Sequence, residues 1–212
     1  MDDGLTLEKL EIAKDGRRMI CLTAHVPPGQ VLSVMGPSGA GKSTLLSALI
    51  GTLAPGFDLT GRVLLNGRDI TALPPERRQI GILFQDELLF PHLSVGGNLG
   101  FGLPAGIRGR AARSARIETA LADIGMPGYA ARDPQTLSGG QKARVALMRV
   151  LLSHPRALLL DEPFSRLDAG LRAQIRDLVF ARARAAGLPV LLVTHDEDDA
   201  RAAGGPVIRL RR

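Results

Sequence analysis

Cysteine occurs once in this chain, at Cys21, so no internal disulfide can form, in keeping with a reducing compartment. Aromatic residues make up only 3% of the composition, and none precedes Phe57. No apolar run approaches the roughly 18–20 residues needed to cross a bilayer. The start, MDDGLTLEKLEIAKDGRR, lacks the apolar segment of a signal peptide. Internal repeats, low-complexity tracts and long linkers are missing as well. These absences argue against a disulfide-stapled secreted scaffold, a membrane-spanning helix and a disordered linker. They predict a cytosolic chain.

What is present is an ordinary globular balance. The 212 residues, 45% apolar and 23% charged, suffice for one sizeable core with a smaller subdomain attached. The net charge of +6 derives almost entirely from arginine. Such a charge suits nucleic acid or an anionic membrane face. The densest basic stretch, IRGRAARSARIETALADIG at 107–125, argues otherwise, because Ile117, Leu121 and Ile124 recur at helical spacing and leave the arginines on a solvated face. It also lacks aromatics to stack bases. No nucleic-acid partner is expected.

Alternation in LTLEKLEIA and MICLTAHV, bounded by KDGRR and PPGQ, predicts two antiparallel strands near the N-terminus. VLSVMG (31–36) reads as a short buried strand, and STLLSALIG (43–51) as a helix ending at a glycine. GRVLLNGRDI (61–70) reads as a hairpin turning at Asn66-Gly67. IGILFQ (80–85) is a strand ending in a polar residue, and the pattern from Pro91 to about Leu137 is helical. Helix (142–153), strand (157–161), helix (169–186) and strand (189–195) then alternate, with a last strand at 206–210. Short strands separated by helices predict an α/β core, a mostly parallel sheet flanked by helices. The helical stretch 91–137 is an insertion within it.

Two glycine-rich stretches carry the chemistry. GPSGAGKST, comprising Gly36, Pro37, Ser38, Gly39, Ala40, Gly41, Lys42, Ser43 and Thr44, fits G-x-x-x-x-G-K-[ST] between a strand and a helix. Its glycines let backbone N–H groups wrap a polyphosphate at a helix N-terminus. Lys42 can reach the β- and γ-phosphates, and the Ser43 hydroxyl can ligate Mg²⁺. ALLLDEP (157–163) puts Asp161 at the sheet's C-terminal edge, where it suits Mg²⁺, and places Glu162 to polarise an attacking water. A DE pair after a strand is more often a solvated turn, but its place after the phosphate loop favours the functional reading. Gln85 can bring its amide to the metal or the water. His195 can donate to the γ-phosphate as charge develops there.

The second stretch is LSGGQ, Leu137, Ser138, Gly139, Gly140 and Gln141, which opens an amphipathic helix. Free N–H groups, a hydroxyl and a helix dipole again make a phosphate-binding geometry. One loop already holds the triphosphate from one side, so the natural target of the second is a nucleotide bound to another copy. Two chains head to tail around a twofold axis would bury two nucleotides between them.

At this point the chain resembles the ATP-binding-cassette (ABC) ATPases over about residues 5 to 200. GPSGAGKST looks like their Walker A loop, Gln85 their Q-loop glutamine, LSGGQ their signature, ALLLDE their Walker B strand and His195 their switch histidine. SRLD (165–168) is similar to their D-loop, with Asp168 in the position that lies near the partner's active site. The resemblance implies a P-loop NTPase core with an N-terminal antiparallel β-subdomain and an inserted α-helical subdomain, in a single nucleotide-binding domain spanning 1–212. It implies MgATP hydrolysis coupled to transport.

ILFQDELLFPHLSVGGNLGFGLP and LLLDEPFSRLD are similar to the ATPase subunits of bacterial solute importers, especially short members near the thiamine, spermidine, iron and sulfate importers. That likeness implies integral membrane permeases as partners, a periplasmic solute-binding protein indirectly, and a place on the cytoplasmic face of the cell membrane. It assigns permease docking to roughly Phe84–Leu103; for Phe90, Pro91 and Leu93 simple packing is the competing reading. In two respects the chain departs from the pattern. The family's aromatic before the first hairpin is replaced by KDG, so adenine would rest on aliphatic groups or on Arg17 or Arg18. The end at Arg212, soon after His195, implies no C-terminal regulatory domain.

Two other readings compete. A soluble ABC ATPase of the iron–sulfur assembly type shares these motifs. A P-loop kinase of small metabolites shares the first loop but leaves LSGGQ without a purpose.

Overall fold

The computed structural model describes residues 3–210; Met1 and Asp2 of the acidic start, and Arg211 and Arg212, lie outside the described residues. In chain order the strands are β1 (Leu5–Lys14), β2 (Arg17–Val26), β3 (Val31–Met35), β4 (Phe57–Leu65), β5 (Arg68–Asp69), β6 (Ile80–Leu83), β7 (Ala157–Asp161), β8 (Val190–Val193) and β9 (Val207–Arg209). The helices are α1 (Lys42–Ile50), α2 (Pro75–Arg78), α3 (Val95–Gly102), α4 (Arg110–Asp123), α5 (Gly139–Leu152), α6 (Ala169–Ala185) and α7 (Glu197–Ala203).

Alternation builds the first sheet. In β1 the residues Leu5, Leu7, Leu10 and Ile12 are fully buried while their neighbours stay partly or wholly accessible, the signature of a sheet with one face on a core. It pairs antiparallel with β2 and β4, in the order β2-β1-β4-β5. Asn66 and Gly67 close the β4–β5 hairpin with positive φ at both positions, as a type I′ turn needs. Continuous apolar runs build the second sheet. β3, β7 and β8 are buried almost throughout and pair in parallel, in the order β6-β7-β8-β3-β9. Helix α1 packs Leu45, Leu46 and Leu49 into one core with Leu5, Ile12 and Ile20 of the first sheet and Val34, Leu159 and Val193 of the second.

Packing divides the chain into two units. One comprises the described residues through Ile82, Arg156–Glu162 and those from Phe180 on; the other is Leu83–Pro155 and Pro163–Val179. The second unit has its own core, in which Val95 and Leu99 of α3, Leu121 and Ile124, and Val145 and Met148 of α5 meet. The burial of Leu121 and Ile124 follows from the helical spacing.

Several boundaries differ from expectation. β6 stops at Leu83 and β8 at Val193, because a strand ends where its neighbour does: Val193 pairs with Asp161, the last residue of β7. The last strand is trimmed to Val207–Arg209 and α5 starts earlier, at Gly139. Arg113 is not merely solvated; its guanidinium donates to the carbonyls of Gly100 and Ile107 and ties α4 to the end of α3. The short helices α2 and α7 were missed, since four and seven residues show no helical period.

Candidate functional site

Parallel strands end at one edge of their sheet, where ligands gather in open α/β folds. β3, β7 and β8 therefore deliver Gly36, Asp161–Glu162 and Thr194–His195 to the same edge of the first unit. Beyond Met35 the chain turns through exposed Pro37, Ser38 and Gly39 and buried Ala40 into Gly41, the N-cap of α1. Gly41 has φ 88°, and a Cβ there would sit 2.9 Å from Ile20 Cδ1. The left-handed backbone favours glycine, and a Cβ would also have to displace the end of the Ile20 side chain. Ser43 and Thr44 follow in the first turn, where the helix N-terminus offers unpaired N–H groups to an anion.

Lys42 is buried, with 8% of its surface exposed. Its ammonium donates to the carbonyls of Gly36 at 2.8 Å and Pro37 at 3.2 Å, and lies 3.8 Å from Glu162 Oε1. Glu162 sits at φ 46°, uncommon for a non-glycine residue, and its N–H is anchored on the Val193 carbonyl at 2.9 Å. Its Oε2 is 2.9 Å from His195 Nδ1. An ionised carboxylate only accepts, so the ring donates from Nδ1. Lysine, glutamate and histidine thus form one chain of contacts at the loop. A cavity of about 490 Å³ opens beside it, lined by Gly36, Pro37, His195, Glu197 and Arg209, within the size range of small-ligand sites.

Asp161, half-buried beside Glu162, has its carboxyl pushed above the ordinary range by burial and then by the Glu162 charge, with the Lys42 ammonium opposing. A carboxylate carrying charge that its surroundings disfavour, together with the Ser43 hydroxyl, is an oxygen donor set of the kind Mg²⁺ takes. The residues present fit that ion.

Sequence reasoning overlooked two supports of this edge. Asp196 N-caps α7, accepting from the N–H groups of Asp198 and Asp199, while its own N–H donates to Thr194 Oγ1. That pins the backbone on both sides of His195. The signal was there, an aspartate followed by three acidic residues in a first turn. Arg78 is the other. Its buried guanidinium donates to the carbonyls of Ala48 and Leu49 at the end of α1, and to those of Leu73 and Thr71. Burial lowers its pKa. Nothing local in ERRQ signals that role.

Gln85, Leu137–Gln141 and Asp168 belong to the second unit. Gln85 is exposed, in a bend after β6. Ser138 N-caps α5 in a capping box: its Oγ accepts from Gln141 N–H, and Gln141 Oε1 accepts from Ser138 N–H. The Gln141 side chain is thereby committed to the helix end, and Leu137 is buried. A Cβ on Gly140 would lie 2.5 Å from Leu171 Cδ2, so a larger residue there would have to displace the Leu171 side chain of α6. Asp168 Oδ1 accepts from Leu171 N–H at 3.0 Å, capping α6. In the Phe84–Leu103 segment, Phe84, Leu88 and Phe101 are exposed. Phe90 packs edge-on against Phe101 at 4.8 Å, beneath the Arg149 guanidinium. Buried Asn98 holds the Phe90 backbone through both its N–H and its carbonyl.

Comparison with known proteins bears on this geometry. The family model described as ABC transporter matches residues 21–165. The chain is 55% identical over 188 residues to an uncharacterized ABC transporter ATP-binding protein, YnjD of Escherichia coli, spanning 89% of this chain and 86% of that one. It is 49% identical over 197 residues to the thiamine import ATP-binding protein ThiQ of Cereibacter sphaeroides, spanning 93% and 84%. The solved structure of cbiO1 from Clostridium perfringens, part of the ABC transporter complex cbiONQ, superposes with a TM-score of 0.86 at 30% identity, covering 100% of this chain and 86% of that one. These likenesses favour the transporter reading over a soluble iron–sulfur type. The chain belongs to the ABC transporter family, as an ATP-binding and ATP-hydrolysing subunit of the importer type.

Proposed function

We propose that two copies of this chain sandwich two MgATP molecules and that their closure drives membrane permeases. The observation that carries this reading is the contact chain Lys42–Glu162–His195 at the phosphate loop. A bound triphosphate offers the lysine ammonium and the histidine ring a more highly charged acceptor than Glu162. With Lys42 and His195 turned to the phosphates, the Glu162 carboxylate can polarise water for attack on the γ-phosphate. Lys42 and the loop N–H groups hold the phosphates, and His195 stabilises charge that develops on transfer. Ser43 and Asp161 would hold Mg²⁺, which neutralises phosphate charge when bound.

The partner copy supplies Ser138, Gly139 and Gly140 to the exposed side of the γ-phosphate, with Asp168 nearby. Because ATP contacts both copies only in the closed state, it favours closure, and hydrolysis removes the bridge. The exposed Phe84, Leu88 and Phe101 support docking of a permease within Phe84–Leu103. No described helix is long and apolar enough to cross a membrane. The reading therefore places the chain peripherally on the cytoplasmic face, with the solute recognised by the permease and a periplasmic binding protein.

Glu162→Gln tests the reading. The variant should bind ATP with near-normal affinity and form an ATP-dependent dimer by size-exclusion chromatography with light scattering, with phosphate release almost abolished. Near-normal turnover refutes the role of Glu162, and a strictly monomeric ATP-saturated variant, even with its permeases present, refutes the sandwich.

A further inference from the structure

A nucleotide held by its phosphates must lay its base on surface bordering the loop, and base stacking needs an exposed apolar or aromatic face. No aromatic precedes Phe57, and Phe57 itself packs against the core with the Lys14 ammonium 5.4 Å from its ring centroid. Among the described residues of the first unit, the large apolar side chains that stay exposed are Met19 and Val207. Val207 pairs with Ser33, midway along β3 and away from the loop. Met19 stands at the loop. It belongs to the edge strand β2, and a Cβ on Gly41 would lie 3.9 Å from its Cε methyl. The neighbouring Arg18 turns toward Glu11 on β1, its Nη1 3.9 Å from Oε2.

We propose that Met19 is the platform on which the purine base of the bound nucleotide rests. The inference depends on the reading that residues 36–44 hold the triphosphate. A thioether is polarisable and packs well against an aromatic face. It offers only a weak acceptor and no donor with which to read the edge of a base. The site therefore takes purine nucleoside triphosphates as a class, recognising the face of the base and discriminating little between adenine and guanine. The residue between Arg18 and Ile20 sets this selectivity.

The experiment is calorimetric titration of the intact protein, in the presence of magnesium, with ATP, GTP and inorganic tripolyphosphate. Met19→Ala should weaken ATP and GTP by roughly three- to tenfold and leave tripolyphosphate unchanged. Met19→Trp should tighten both nucleotides, because an indole offers a larger stacking face. Wild-type affinities for ATP and GTP should agree within about threefold, the spread expected when no hydrogen bond reads the base edge. Unchanged ATP affinity in Met19→Ala, or an equal loss for tripolyphosphate, overturns the platform. A wild-type preference for ATP beyond about thirtyfold overturns recognition by face alone. Lys42→Ala probes the loop separately and should weaken all three ligands. If it leaves tripolyphosphate binding intact, the loop reading falls and the platform with it. If only Met19→Ala is silent, the platform alone falls.

Discussion

His195 Nδ1 lies 2.9 Å from Glu162 Oε2, on the carboxylate whose other oxygen is 3.8 Å from the Lys42 ammonium. The ring is therefore held at the loop by the same group it is proposed to release. If its task is to stabilise charge formed during transfer, His195→Ala should lower kcat for ATP hydrolysis by about 10²–10³-fold with little change in KM. Steady-state phosphate release measures both. A rise in KM at unchanged kcat would instead make the histidine a ground-state binding group.

Gly41 combines φ 88° with a Cβ position 2.9 Å from Ile20 Cδ1. Gly41→Ala should destabilise the fold by about 1–2 kcal/mol from the left-handed backbone alone. The shift of the loop should also cost at least about tenfold in ATP affinity, since its N–H groups must converge on the phosphates. Urea unfolding and nucleotide titration report the two effects; wild-type values in both would show that the loop relaxes freely.

Arg78 donates to four carbonyls, two of them at the end of α1. Arg78→Met keeps much of the packing but leaves those carbonyls without their charged donor. It should lower the unfolding free energy by about 2–4 kcal/mol. Arg78→Lys should recover only part of that, because an ammonium cannot span the fork of the guanidinium. Full recovery by lysine would mean that charge alone matters at the helix end.

The Asp69 carboxyl is held below its ordinary value of 3.8, first by the Thr71 hydroxyl 2.6 Å away, then by the Thr71 N–H at 2.9 Å. The folded state thus binds this proton less tightly than the unfolded chain. Its stabilising contribution is full above the unfolded value and lost as pH falls through the lower folded value. Asp69→Asn, which retains an acceptor, should be less stable than wild type at neutral pH, with the gap closing as pH drops below the ordinary carboxylate value. A gap constant with pH would rule out the linkage.

Much of this molecule was legible before folding. The alternation in β1 and β2, the Asn66-Gly67 turn and the glycine ending α1 are local, and each was found where expected. Gly36–Thr44 and Leu137–Gln141 could be proposed as phosphate loops for the same reason, since such loops are built from consecutive residues. Strand ends were less so, because the length of a ladder depends on the neighbouring strand. The partners of Arg78, Asn98 and Arg113 were not legible, since a side chain that satisfies distant carbonyls looks no different in sequence from one that faces water.

By itself the sequence determined which residue types stand at which spacing: the glycines, lysine and serine of 36–44, the carboxylates of 161–162 and a second glycine loop at 137–141, the basis for the chemistry proposed. Tertiary structure alone decided that Lys42, Glu162 and His195 touch, that burial raises the Asp161 carboxyl, and that Met19 borders the loop. Residue type and short spacing carry the first kind of information. The second arises only when strands far apart in the chain end side by side, bringing charges within a few ångströms in surroundings that screen them poorly.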